Sequence, residues 1–180
     1  DLSTLNKKAI VLPLGEVPIT RKVKSLGIIV RTNSNVHISD QNKKRIFNKD
    51  KIDYIEKSLQ SLVVSVNSFK KKFKDFKVNL TIIDQSNDEA LLKKFDEIFL
   101  KLDFKVKIVP FDKNEYKNEI NLDYNKDVFG NLSSLLKCFN IAKNSTDDLT
   151  FFLEDDYLHK GSLIEEMIMT YERVWSQIKK

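Results

Sequence analysis

Leu149-Thr150-Phe151-Phe152-Leu153-Glu154-Asp155-Asp156-Tyr157 places four bulky apolar side chains in five residues and then three consecutive acids. A run this short and this rich in Phe and Leu suits a strand buried on both faces, as in a parallel sheet. The acids that end it belong at the rim of the sheet, outside the core. Three adjacent carboxylates repel one another unless a cation or a proton offsets their charge. A divalent metal site needs such an arrangement.

Outward from this stretch, similar runs recur. Leu26-Gly27-Ile28-Ile29-Val30 leads into Arg31-Thr32-Asn33, Val78-Asn79-Leu80-Thr81-Ile82-Ile83 into Asp84, and Val106-Lys107-Ile108-Val109 into Pro110. Between them apolar residues return at helical spacing. Ile55, Leu59, Leu62, Val63, Val66, Phe69 and Phe73 mark one helix, and Leu91, Leu92, Phe95, Ile98, Phe99 and Leu102 a second. Leu132, Leu135, Leu136, Phe139 and Ala142 mark a third, and Leu163, Met167, Tyr171, Val174 and Trp175 a fourth. Ser86 to Glu89 and Ser162 to Glu165 have the spacing of capping boxes opening the second and fourth helices. Residues 34–50 and 111–129 read as polar loops, and Ala9-Ile10-Val11-Leu12 as a short strand before Pro13. The order β-α-β-α-β-α-β-α predicts an α/β fold, a Rossmann-like and mostly parallel sheet with helices on both faces. Residues 1–25 read as an N-terminal extension and 26–180 as one domain.

The bulk properties agree with one soluble domain. At 180 residues, 41% hydrophobic and 32% charged, the chain is long enough for a real core. With only 4 Gly and 3 Pro it favours long regular elements. The net charge of +5 is compatible with an anionic ligand such as a nucleotide. The basic run Lys70-Lys71-Lys72-Phe73-Lys74-Asp75-Phe76-Lys77 reads as the solvated end of the first helix, where the helix dipole favours Lys. No nucleic-acid partner is expected, and a peripheral membrane contact stays open. Cys138, the single cysteine, forms no intramolecular disulfide and reads as a small core residue. His37 and His159 share no metal-ligand spacing. No run approaches the ~18 apolar residues of a membrane span and no signal peptide is visible, so a cytoplasmic location is expected.

Open sheets of this class bind ligands beyond the carboxyl ends of their strands. Thr32 and Asn33 follow the first strand, Asp84 the second, Phe111 and Asp112 the third, and Glu154, Asp155 and Asp156 the fourth. Chain order therefore puts them on one rim. Glu154 and Asp156 are two apart, so they point the same way while the backbone stays extended. Their hard oxygens suit Mg²⁺ or Mn²⁺, with coordination positions left for substrate phosphates. The plain alternative is a solvated acidic turn. Asp84 serves equally as a cap for the turn into the second helix or as an acceptor for a base or ribose. Thr32 and Asn33 are also ordinary turn formers. Lys137 either reaches a phosphate or faces solvent. There is no Gly-rich phosphate loop, no G-x-S-x-G elbow and no Cys/His cluster, so phosphates would have to be held through a metal.

Four segments in order resemble the GT-A glycosyltransferases, in particular the inverting family 2 type. Leu26 to Asn33, LGIIVRTN, resembles the family's first strand and its Thr-Asn exit. Tyr54 to Leu62, YIEKSLQSL, is similar to its "YLEESLESL" helix, and Leu80 to Asp88, LTIIDQSND, to "IIVDDGSTD". Leu149 to Tyr157, LTFFLEDDY, is similar to "ILFLDADD", with Glu154 and Asp156 in the places of the D-x-D acids. The resemblance spans residues 26–175. It implies a GT-A fold, a nucleotide-sugar donor (a UDP-sugar ahead of a GDP-sugar) and a sugar or glycan acceptor. It also implies Mn²⁺ or Mg²⁺ and transfer to an acceptor hydroxyl with inversion. Carried over, Thr32 and Asp84 would sit near the base and ribose, and Asp156 would bind the metal with Glu154 or Asp155 nearby; with Asn33 and Lys137 as further donor-site candidates, the metal pair is taken as Glu154 and Asp156. The chain departs from the pattern in several places. Glu154 fills the first D-x-D position, the Asp84–Asp88 segment lacks the family's Gly and is one residue shorter, and the Arg-Asn pair of the preceding helix is replaced near Lys137-Cys138. In the family, the acceptor site and catalytic base follow in the next half. The chain ends at Lys180, so that half is expected to be truncated and the base is unassigned. The alternative to a transferase is a GT-A-like domain that binds a nucleotide sugar or a partner without catalysis. Another α/β metal enzyme, such as a phosphatase or nucleotidyltransferase, ranks last, because phosphatases with a strand-end nucleophilic Asp place it after the first core strand, which here ends in Arg31-Thr32-Asn33.

Overall fold

Among the described residues, each apolar run becomes a strand and each helical period a helix. The computed structural model describes residues 18–35, 49–86, 88–120 and 126–178. In chain order they form β1 (Ser25–Thr32), α1 (Lys51–Lys72), β2 (Lys77–Asp84), α2 (Glu89–Phe99) and β3 (Lys107–Pro110). A 3₁₀ turn (Lys113–Tyr116), α3 (Lys126–Lys143), β4 (Leu149–Glu154) and α4 (Leu163–Ile178) follow. The four strands make one parallel sheet in the order β3-β2-β1-β4. This is the expected Rossmann-like α/β architecture. The expected strand at Ala9–Leu12 and most of the loop 34–50 lie outside the described residues.

The topology follows from chirality. The chain steps from β1 through α1 to β2, and through α2 to β3, always in one direction. It then returns past β2 and β1 to place β4 on the far side. Right-handed crossovers force that return onto the opposite face of the sheet. The core divides accordingly. Leu26, Ile28 and Val30 of β1 join Ile55, Leu59 and Leu62 of α1, Phe95 of α2 and Ile164 of α4 in the larger cluster. Burying side chains of this size stabilises the fold by roughly 1.5–3 kcal/mol each. Ile29 and Ile83 point the other way and meet Phe111, Tyr116 and Cys138 under α3.

Small residues set two close approaches. Ser61 and Ser65 on α1 accept hydrogen bonds from the backbone N–H groups of His159 (2.9 Å) and Ile164 (3.2 Å), so the β4–α4 connection lies directly on α1. At Gly27, a Cβ would fall 2.6 Å from Asp147 Oδ2. That carboxylate is itself held by Asn79 Nδ2 and Ser145 Oγ, each at 2.7 Å. Residues 20–23 run along α4, where buried Glu172 accepts from Val23 N at 2.9 Å and Ser176 Oγ from Thr20 N at 3.0 Å. The last residues of the expected extension are thus packed on the domain.

Several local expectations change. The N-cap of α2 is Asp88 and not Ser86: its carboxylate accepts from Ala90 N and Leu91 N. At α4, Ser162 Oγ donates to Glu166 at 2.6 Å, while Glu165 pairs with Lys72. The expected loop 111–129 contains the 3₁₀ turn and the start of α3. The buried side of α3 is Phe129, Ser133, Ser134 and Cys138, and it leaves Leu132 and Phe139 exposed. In α4, the buried residues are Ile164, Ile168, Glu172 and Ser176, one position on from the expected stripe, and Val174 is exposed. β4 is an edge strand, and Phe152 is 40% exposed against Phe139 of α3 instead of buried on both sides. Among the described residues, no helix is long and apolar enough to cross a membrane.

Candidate functional site

Because all strands are parallel, their carboxyl ends share one rim. Register aligns Thr32 with Asp84 and Arg31 with Glu154. The reversal of strand order falls between β1 and β4. That is the topological switch point, where crossovers leave to opposite faces and open a crevice between them. Thr32 and Asn33 stand on one side of it, Glu154, Asp155 and Asp156 on the other.

The rim is a network of short polar contacts. Thr32 Oγ1 and Ser86 Oγ each donate to Asp84 Oδ1 at 2.9 Å. Thr32 and Asp84 are both buried, Asp84 at 1% exposure. They are therefore placed to hold the turns after β1 and β2 together and do not face outward. Ser34 Oγ adds a hydrogen bond to Asp88 at 3.2 Å, and Gln85 N one to Thr32 O at 2.9 Å.

The three acids have separate fates. Glu154 pairs with Arg31, whose guanidinium also donates to Asn131 Oδ1 (2.8 Å) and Ser134 Oγ (3.0 Å) of α3. Asp155, only 7% exposed, accepts from Lys51 Nζ at 2.6 Å and from Asn33 N at 2.9 Å. Burial pushes its carboxyl above the ordinary carboxylate range, and neither Lys51 nor the Asn33 N–H fully offsets that. Asp156 is exposed and has no hydrogen-bond or ion-pair partner among the described residues. Lys137 lies away from these carboxylates in its contacts. It pairs with Glu115 at 2.7 Å, which raises its pKa.

For the expected Mg²⁺ or Mn²⁺, the donor set is sparse. Among the described residues, no three His, Cys, Asp or Glu side chains are grouped to hold a metal ion. Mg²⁺ needs less when it arrives on a substrate diphosphate, since it keeps several waters and takes one or two carboxylates from the protein. Asp156 meets that requirement, and Glu154, half exposed, meets it by leaving Arg31. The residues fit that mode and not an all-protein cage.

Arg31, Lys51 and Ser86 belong to this rim although none of them was a candidate site residue in the sequence. One signal existed for Arg31: a charge in a strand, followed by Thr-Asn, that can reach a neighbouring strand's terminal acid. No family model, no curated protein and no solved structure matches the chain.

Proposed function

We propose that the switch-point rim is the donor site of a metal-dependent glycosyltransferase that takes a nucleotide sugar, a UDP-sugar ahead of a GDP-sugar. The observation that carries this reading is Asp156, exposed beside Glu154 at the crevice between β1 and β4. Thr32, Asp84 and Ser86 fix the floor of the crevice. Asn33 and Asp156 border its opening. Lys51 and Arg31 neutralise Asp155 and Glu154, so the rim carries three acids without their full repulsion. Asp156, with Glu154 beside it, would hold Mn²⁺ or Mg²⁺, which supplies positive charge against a leaving diphosphate. An acceptor hydroxyl would then attack the anomeric carbon with inversion. No general base is assigned among the described residues. A reducing cytoplasm suits the free thiol of Cys138.

The test is calorimetric titration with UDP, GDP and their sugars, with and without Mn²⁺. Mn²⁺-dependent binding that disappears in Asp156→Ala is expected. Binding indifferent to Mn²⁺, or no binding of any nucleotide, sinks the reading. A second reading, nucleotide-sugar binding without transfer, is favoured by the ion pairs that already occupy Glu154 and Asp155. Release of UDP from bound donor in the presence of candidate acceptors separates the two.

A further inference from the structure

One concavity of the described residues lies away from the carboxyl rim. It is a cleft of about 770 Å³ at the opposite end of the sheet, lined by Lys24, Lys72, Lys74 and Lys77 with the rings of Phe73 and Phe76. An eight-residue strand separates the two ends by roughly 25 Å. We propose that this cleft is a second binding site, independent of the rim, for a phosphate ester.

Its charge is more than a helix end requires. Lys70 already serves the α1–β2 turn: its ammonium donates to the backbone carbonyls of Lys74 (3.3 Å) and Phe76 (3.2 Å). Lys72 is paired with Glu165 at 2.6 Å. Lys24, Lys74 and Lys77 remain. They come from the residue before β1, the α1–β2 turn and the first residue of β2, and no carboxylate pairs with any of them among the described residues. The cleft does contain two acids. Asp148 is engaged, accepting from Lys24 N at 2.7 Å and pairing with Arg21 at 3.8 Å. Asp75 is exposed in the turn. With Lys72 paired to Glu165 and Asp148 to Arg21, the ammonium groups of Lys24, Lys74 and Lys77 face the single carboxylate of Asp75, and this excess of positive charge in a concave surface concentrates anions.

The floor is apolar. Phe73 and Phe76 are half-buried and lean on Phe69, with ring centroids 4.7 and 4.8 Å away. The volume lies in the range of small-molecule sites. Flexible ammonium groups around an apolar floor suit a phosphate monoester or diester with a carbon body. A soluble phosphorylated metabolite and a phospholipid headgroup share that chemistry.

The experiment is calorimetry with inorganic triphosphate in EDTA, which silences any metal-dependent binding at the rim. The wild type is compared with Lys74→Gln/Lys77→Gln and with Lys57→Gln/Lys160→Gln, which removes equal charge from exposed positions elsewhere. Saturable binding is expected, weakened on the order of tenfold by the first pair only. Asp156→Ala leaves it unchanged, so failure of the rim reading does not touch this result. Cosedimentation with phosphatidylcholine vesicles, with and without phosphatidylinositol phosphate, identifies the source. Capture by the phosphorylated vesicles that is lost in the first pair assigns a lipid headgroup. Triphosphate binding without capture assigns a soluble ester. Absence of saturable binding to both probes, or equal weakening by both lysine pairs, overturns the proposal.

Discussion

Replacing Lys51 by Met removes the cation from a buried carboxylate, and the size of the loss has a ceiling set by pH. Asp155 and Lys51 are 10% and 16% exposed at the side chain and 2.6 Å apart. Without the ammonium, Asp155 keeps the Asn33 N–H as its hydrogen-bond donor. A buried carboxylate stripped of its partner typically costs about 3–5 kcal/mol. It escapes any larger penalty by taking up a proton. From an ordinary carboxylate pKa, that protonation costs about 4 kcal/mol at pH 7 and about 1.5 kcal/mol at pH 5. Lys51→Met should therefore lose at most about 4 kcal/mol at pH 7 and at most about 1.5 kcal/mol at pH 5. The sign follows from the direction of the shift. Asp155 is raised when folded, so the native state holds its proton longer than the unfolded chain does. Its contribution to stability falls as pH rises from the ordinary carboxylate range through the raised value. Urea unfolding of the variant and wild type at both pH values measures the difference. Asp155→Asn is the control: it removes the titrating group and Lys51 can turn its ammonium to solvent, so its loss, about 1–2 kcal/mol, should be no larger at pH 7 than at pH 5, the opposite trend to Lys51→Met. An equal loss for Lys51→Met at the two pH values would falsify the argument and leave only lost packing of the lysine stem.

Three further outcomes are expected. Asp88→Ala should cost about 1 kcal/mol and speed amide exchange at Ala90 and Leu91, whereas Ser86→Ala leaves those two amides protected. Gly27→Ala should destabilise by about 1–3 kcal/mol in thermal or urea unfolding, because Asp147 must leave Asn79 and Ser145 to admit the methyl group. An unchanged midpoint would show that Asp147 moves freely. Cys138, buried and with its thiol pushed up to about 11, should react with a thiol reagent at pH 8 only as fast as the protein opens, and at once in denaturant.

Strand and helix identities were legible because apolar runs and helical periods are local. β1, β2 and the inward residues of α1 and α2 lie where those patterns put them. The face of α3 was not legible, since its orientation answers to Arg31. The guanidinium rises from β1 between Ile29 and the rim and needs acceptors, so α3 turns Asn131 and Ser134 toward it and leaves Leu132 and Phe139 outside. The acid triplet was legible as a feature, and its alignment with Thr32 and Asp84 on one rim followed from strand order. Its electrostatics were not. Asp155 meets a lysine 104 positions earlier and Glu154 an arginine 123 positions earlier, pairings that no spacing rule anticipates.

The central position of β1 also orders events in time. Its pairing with β2 closes a stretch of about fifty residues, whereas pairing with β4 closes one of more than a hundred. Chain closure over the longer distance is entropically dearer, and contacts of high sequence separation form late. The βαβ unit of β1, α1 and β2 is expected to be built in the folding transition state, with β4 and its acids docking afterwards. In stopped-flow kinetics, Leu59→Ala should then slow refolding, while Lys51→Met acts through faster unfolding. The carboxylates at the end of β4 would meet Arg31 and Lys51 as the last step, so the rim becomes a defined surface only when the whole sheet exists.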